Sequence, residues 1–299
     1  MRERFITCSG KTDGGGAQVH AVMSTLACVA AATGLVYAHT PFVRVSHNNL
    51  NDPEWTERWE RFFSLGHGEV HRKDLPDCME LPIDNISSTL SALNNTSSRV
   101  LYVVRHCHNY LDHRPDLYLR IRQQLLCKYF HAPKPPACRG KGLVVAMHLR
   151  RGDVTIAKYP RRYVSEEAIS EVVASLRAAM SGVAHEVHLY SEGEPSDFRW
   201  LPEDIQLHLN GDALTTFHKL VTADVLVMGK SSFSYAAAIL SDGVKLYAPF
   251  RHAPMADWVH YGVGTRTDAN QLTEALGRHL RKRPLTGDSI GSGGGTRSW

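Results

Sequence analysis

Over residues 143–249, short apolar runs alternate with helix-compatible stretches. That alternation constrains the fold more than any other feature of the chain. "LVVAMHLR", "HEVHLYSEG", "IQLHLNG", "VLVMG" and "VKLYAP" each read as a strand. "SEEAISEVVASLRAAMSG" (165–182) reads as a helix, opened by a serine cap with acids in its first turn. "ALTTFHKLVTAD" and "SSFSYAAAILSDG" are further helices between strands, and "DANQLTEALGRHLRKR" closes the series. Alternating strands and helices predict a parallel sheet covered by helices on both faces.

The first part of the chain repeats the logic more loosely. "RFITCSG" (4–10) reads as a strand, "KTDGGGAQ" as a glycine-rich turn, "VHAVMSTLACVAAATG" as a buried helix and "LVYAHTPF" (35–42) as a second strand. Together they make a βαβ unit of about minimum length with glycines at its first turn. "PEWTERWERFFSLG" is amphipathic, with Trp55, Trp59 and Phe62 on one face, a core pattern. "RVLYVVRH" reads as a strand, and "RPDLYLRIRQQLLCKYF" (114–130) as a helix with Leu117, Ile121 and Leu125 in line. "HAPKPPACRGKG" (131–142), with three prolines and two glycines, has a linker composition. The expected organisation is therefore an α/β chain of two Rossmann-like domains: 1–140, 141–285, and a flexible tail over 286–299. In open parallel sheets ligands sit beyond the carboxyl ends of the strands, so the cleft between two such domains is the expected site.

Composition narrows the function. A formal net charge of +4 over 299 residues is too mild for a protein that coats nucleic acid, and the basic "RHLRKRP" (278–284) reads as a solvated helix end. The six cysteines form no C-x-x-C pair and match no zinc framework, so they read as reduced residues in a core. The start of the chain has no apolar signal segment and no run of 18 apolar residues occurs, which together suggest a cytoplasmic location. Under that expectation the N-x-S/T sequons at Asn85, Asn94 and Asn95 carry no glycosylation signal.

The stretch "MHLRRGD" carries the strongest chemical signal. Side chains alternate along a strand, so His148 and Arg150 share a face, and Gly152 permits the turn that ends the strand. Arg150 and Arg151 thus emerge where ligands bind, with forks that match phosphate oxygens two at a time. Asp153 is placed to tie one of them down, and a structural Arg–Asp pair explains the stretch equally well. In "ADVLVMGKSSFSYAAAIL" a strand runs into Gly229, with Ser231 and Ser232 at a helix start, where free amides favour an anion. An ordinary capped helix is the plainer reading. A Walker A loop is excluded, because the position five before Gly229 is Asp224. Asp13, Gly14, Gly15 and Gly16 suit a tight turn approaching a ligand, and Ser191 and Glu192 follow a strand at the same crevice. No D-x-D occurs, so phosphate charge is expected to meet arginine rather than a metal, and no cofactor is expected.

Taken together these residues resemble the superfamily of GDP-fucose-dependent α1,2-, α1,6- and protein O-fucosyltransferases, which have two Rossmann-like domains in the GT-B arrangement. "HLRRGD" (148–153) fits the family's H-x-R-R-x-D, "YSEG" its second motif with Glu192 as the acid, and Ser231, Ser232 and Phe233 its third. "GGGAQ" resembles its glycine-rich turn. The resemblance covers 143–250 well, 1–45 thinly, and not 46–140, where acceptor recognition would lie. It implies that Arg150 holds the donor's β-phosphate, that His148 touches the ribose or diphosphate, and that the phosphates rest on the helix start. It also implies an inverting transfer from a nucleotide sugar to a glycan acceptor without a metal, with Asp153 or Asp13 as candidate base. One position departs: Thr216 stands where the family has a guanine-reading Asp, with Asp212 one turn earlier as a substitute. A donor such as UDP-xylose, and a non-catalytic nucleotide-sugar- or glycan-binding module, are the alternatives.

Overall fold

A computed structural model of the chain describes residues 4–32, 34–48, 51–84, 86, 99–105, 107–140, 142–262 and 267–282. The three sequons and the expected tail over 286–299 begin in or occupy stretches outside the described residues. Two parallel sheets are present. In the first, β1 (Arg4–Cys8), β2 (Leu35–His39), β3 (Val70–His71), β4 (Met79–Ile83) and β5 (Val100–Val104) run in the order β3-β2-β1-β5-β4. In the second, β6 (Leu143–His148), β7 (His185–Ser191), β8 (Ile205–Leu209), β9 (Val225–Met228), β10 (Val244–Tyr247) and β11 (Val259–His260) run in the order β11-β10-β9-β6-β7-β8.

The helices of the first half are α1 (Gly15–Val29), α2 (Trp55–Phe63), the short α3 (His108–Leu111) and α4 (Asp116–Tyr129). Those of the second are α5 (Glu166–Ala179), α6 (Ala213–Thr222), α7 (Ser232–Leu240) and α8 (Ala269–Lys282). The capping chemistry expected for α5 is present, with the Ser165 hydroxyl accepting from the Ala168 amide. In the second sheet α6 and α7 cover one face, and α5 and α8 pack together over the other. Its central strands are therefore buried on both sides and read as continuous apolar runs. The edge strands β3 and β11 lie in "EVH" and "WVH", too short to show alternation, and β4 in "MELPI", where Pro82 breaks the strand signal.

One of the apolar clusters runs through the seam between the halves. It joins Ile6, Val22 and Tyr37 of the first to Phe217, Tyr235 and Trp258 of the second. Trp55, Trp59 and Phe62 lie in this core, as their helical spacing implied. Polar contacts fasten the same seam. Arg122 on α4 donates to the carbonyls of Ile239 (3.1 Å) and Leu240 (2.7 Å), satisfying the carboxyl end of α7. Arg58 on α2 meets Asp212 at 3.0 Å, and the Tyr129 hydroxyl lies 2.9 Å from His218 Nδ1. All six cysteines are unbridged, and only Cys127 is exposed.

Glycine allows a close backbone approach at the seam. α1 packs against α7. A Cβ on Gly16 would lie 2.6 Å from Phe233 Cα and 2.8 Å from its amide nitrogen, contacts that real side chains do not make. A Cβ on Gly15 would lie 2.3 Å from the Trp59 ring, whereas one on Gly14 would meet the His47 ring at 3.2 Å and Ser46 Oγ at 4.0 Å. Gly16→Val therefore forces the two halves apart and is expected to cost about 1–3 kcal/mol. Urea denaturation should show that loss for Gly16→Val and a smaller one for Gly14→Ala.

Candidate functional site

The carboxyl ends of β6, β7, β9 and β10 and the amino-terminal end of α7 converge at the seam. β6 lies between β7 and β9, so His148, at the end of β6, is brought beside the turn that starts α7. Its Nδ1 lies 2.5 Å from Ser234 Oγ, and its ring packs 5.1 Å from that of Phe233. Gly229 is required here, because a Cβ would lie 2.5 Å from the His148 carbonyl oxygen. Burial and the nearby Arg150 charge hold the His148 imidazole down to about 3, so it is neutral at physiological pH.

Arg150 points to this end of the sheet but is not free. It donates from Nε to Asp153 Oδ1 (2.9 Å) and from Nη2 to Asp153 Oδ2 (2.7 Å), a two-pronged pair. The structural Arg–Asp reading is thus realised, with Gly152 in the left-handed conformation (φ +67°) making the turn between them. Burial works against the Asp153 carboxylate, yet the Arg150 bonds and charge outweigh it and hold its pKa below the ordinary range. A carboxylate so held is a weak proton acceptor. Glu192 closes the same corner, with its Oε2 placed 3.2 Å from where a Gly152 Cβ would sit.

Several expected ligand contacts face elsewhere. Arg151 is buried; its Nη2 donates to the Val164 carbonyl at 2.9 Å and its guanidinium stacks 4.1 Å over the Tyr163 ring. Alternation along the strand turns it into its own domain, away from the crevice. The Ser231 hydroxyl caps α7 by accepting from the Ser234 amide at 3.1 Å, and its own amide bonds to the Gly229 carbonyl. Phe233 is a wedge between the halves, edge-on to Phe217 at 5.2 Å. Gly15 and Gly16 make room for Trp59 and Phe233 rather than for a ligand. Asp212 has both oxygens occupied: Oδ1 accepts from the Thr215 amide (2.8 Å) and hydroxyl (2.9 Å), and Oδ2 from Arg58 (3.0 Å).

Asp13 is the exposed acid of the site, 53% accessible and 3.5 Å from Lys11 Nζ. Its carbonyl accepts from Gln18 Nε2 (2.7 Å) and the Ser46 amide (3.1 Å), which fixes the glycine turn against the segment carrying His47. His47 takes a left-handed backbone (φ +62°), and its ring lies 3.2 Å from where a Gly14 Cβ would sit, so it stands against the glycine turn.

Four contributors escaped the sequence reading: His47, Asp112, Arg251 and His252. Ser232 Oγ accepts from Arg251 Nη2 at 2.9 Å and lies 3.2 Å from His252 Nε2. Asp112, in the first half, accepts from the Ala253 amide at 3.2 Å. Arg251 and His252 follow "VKLYAP", so the rule that flags residues past a strand's carboxyl end would have found them. Asp112 and His47 sit in segments with no such signal.

A separate groove of about 700 Å3 lies between α2, the linker and the start of α6, with Arg58, Phe62, Lys134, Asp212 and Thr215 in its walls. Lys134 donates to the Phe62 (2.8 Å) and Ala132 (2.9 Å) carbonyls, and burial lowers its ammonium to about 8. Among the described residues no group of His, Cys, Asp or Glu could hold a metal ion, and no helix is long and apolar enough to cross a membrane.

No family model and no curated protein sequence matches the chain. Among solved structures, it is similar to the E. coli heptosyltransferase WaaC with ADP-2-deoxy-2-fluoro heptose, at 13% identity and TM-score 0.39, covering 94% of this chain and 99% of that one. The fucosyltransferase NodZ from Bradyrhizobium aligns at 13% identity and TM-score 0.37, over 81% and 93% of the two chains. The spinosyn rhamnosyltransferase SpnG aligns at 13% identity and TM-score 0.35, over 94% and 92%.

The neutral His148 makes a stability prediction. Its ordinary pKa is 6.5 and its folded value about 3. Below pH 6.5 the unfolded chain therefore takes up a proton that the native site refuses. Stability from this group is complete above that pH and falls as pH falls toward 3. His148→Gln should flatten the urea midpoint between pH 6.5 and 5 relative to the parent; parallel curves would contradict the assignment.

Proposed function

We propose that the chain is a glycosyltransferase of the GT-B kind that moves a sugar from a nucleotide sugar to a glycan acceptor. The observation that carries this is the junction of the β6 end with the α7 start, sealed by the 2.5 Å contact between His148 and Ser234. That junction places the His148–Arg150–Asp153 corner beside a helix amino terminus, with Asp13 on the facing half. A guanidinium beside a helix start, its charge balanced by Asp153 while its planar fork still presents donors, suits a diphosphate leaving group. As the sugar–phosphate bond lengthens, negative charge grows on the β-phosphate, and preorganised donors there stabilise the transition state more than the substrate. His148, held neutral, adds a ring nitrogen without repelling Arg150.

An in-line displacement with inversion needs a proton acceptor on the opposite half. Asp13 fits that role better than Asp153. Asp13 is exposed at the mouth of the cleft, whereas the carboxylate of Asp153 is spent on Arg150. The donor we favour is GDP-fucose, on the H-x-R-R-x-D and S-S-F stretches. A UDP-sugar such as UDP-xylose is the second reading. It is favoured by Thr216 at the guanine-reading position and by the full occupation of the Asp212 carboxylate.

Thermal shift against GDP, UDP, ADP and dTDP identifies the base, since bound product stabilises the fold by mass action. Release of nucleoside diphosphate from the matching sugar nucleotide then separates an enzyme from a pure binder. Arg150→Lys, which cannot hold a two-pronged pair, is expected to lower turnover about 10²–10³-fold. Asp13→Asn is expected to lower kcat about 10²–10⁴-fold with little change in donor affinity. Unchanged turnover in either variant would remove the corresponding role.

A further inference from the structure

Two guanidiniums stand near the start of α7, and they differ in what they have left to give. Arg150 has Nε and Nη2 committed to Asp153. Arg251, four residues past the end of β10, has no carboxylate within 4.0 Å among the described residues. Its bonds go to two neutral groups, from Nη2 to Ser232 Oγ (2.9 Å) and from Nε to His252 Nε2 (3.3 Å). Partial burial lowers its pKa from the ordinary arginine value and Arg162 adds to that, while Asp13 and Asp112 oppose it. An exposed guanidinium held by neutral partners keeps its charge and its Nη1 donors for something else.

The partners are themselves fixed. His252 is 1% exposed, its carbonyl accepts from the Tyr247 hydroxyl at 2.5 Å, and its ring meets those of His20 and Tyr235 at 4.3 and 5.1 Å. Its Nε2 receives the Arg251 N–H, so that nitrogen is the acceptor and the ring proton resides on Nδ1. Nδ1 lies 3.4 Å from Asp112 Oδ1, an ion-pair distance without hydrogen-bond geometry. A run of groups thus leads from Asp112 in one half, through His252 and Ser232, to Arg251 in the other.

We propose that Arg251 is the ligand-contacting cation of an oxyanion site at the start of α7, and that Asp112 is its positioning residue across the seam. The ligand class is a pyrophosphate: the terminal phosphate of the donor's diphosphate rests against Arg251 while Arg150 stays braced by Asp153. As a statement about a donor it rests on the glycosyl-transfer reading; as a statement about an anion it does not. Because Asp112 belongs to the facing half, the site is complete only while the halves are docked.

Calorimetric titration of the full chain with inorganic pyrophosphate, and with GDP, UDP and ADP each against its monophosphate, tests this. Arg251→Ala should weaken pyrophosphate about 10–100-fold, the worth of a charge-assisted bond, and erase the preference for di- over monophosphate. Its urea midpoint should hold, since the side chain is exposed. Arg251→Lys should recover part of the loss, and Arg177→Ala, in an exposed pair with Asp204, should change nothing. Asp112→Asn should weaken pyrophosphate and shift the His252 ring nitrogens in the 15N spectrum, a change that a merely structural loss does not produce. Pyrophosphate held equally by Arg251→Ala, or not held by the parent chain, overturns the proposal. Arg251-dependent pyrophosphate binding with no sugar nucleotide consumed upholds the anion site and sinks the glycosyl-transfer reading instead.

Discussion

Everything at the candidate site depends on how closely α1 can approach α7. The backbone of Gly16 lies against that of Phe233, leaving no room for a Cβ. That contact docks the glycine turn of the first sheet onto the start of the helix that follows β9. With the turn comes Asp13, and with the helix start come Ser232 and the ends of β6 and β10. A larger residue at 16 would open the seam and separate the acid from the cations.

The same docking explains why so much polarity is buried between the halves. Arg122 satisfies the carboxyl end of α7, Arg58 reaches Asp212, and Asp112 reaches Ala253 and His252. Arg122 and Asp112 satisfy carbonyls and an amide that burial at the seam would otherwise leave unpaired. The continuous apolar core supplies affinity between the halves, and these crossings fix their register. The crevice is therefore a junction with a defined shape, and its charges have defined positions.

The alternating pattern of the second half made its sheet legible in advance, down to the serine cap of α5. β3, β4 and β11 were not legible: β3 and β11 are two residues long, β4 is broken by Pro82, and the pairing of these edge strands is decided by neighbours distant in sequence. At the site, the strand-end rule placed His148, Arg150 and Asp153 correctly at one end of the sheet. It misjudged Arg151, because the period of two that exposes Arg150 turns the next residue inward. It missed Arg251 because attention went to the arginine pair and not to the same rule applied at β10. The glycines of "DGGG" were read as space for a ligand, whereas Gly15 and Gly16 are space for Trp59 and Phe233. Sequence shows that a Cβ is absent; only the fold shows what uses the room.

The claim on which the account turns is that a diphosphate sits where β6 ends and α7 begins. A crystal structure of the chain with the nucleoside diphosphate that stabilises it most tests this directly. The account predicts phosphate density against the α7 start, within bonding distance of Arg251 and beside Arg150 and His148. Density for the diphosphate in the groove between Arg58 and Lys134, with the β6–α7 junction filled only by water, would contradict it.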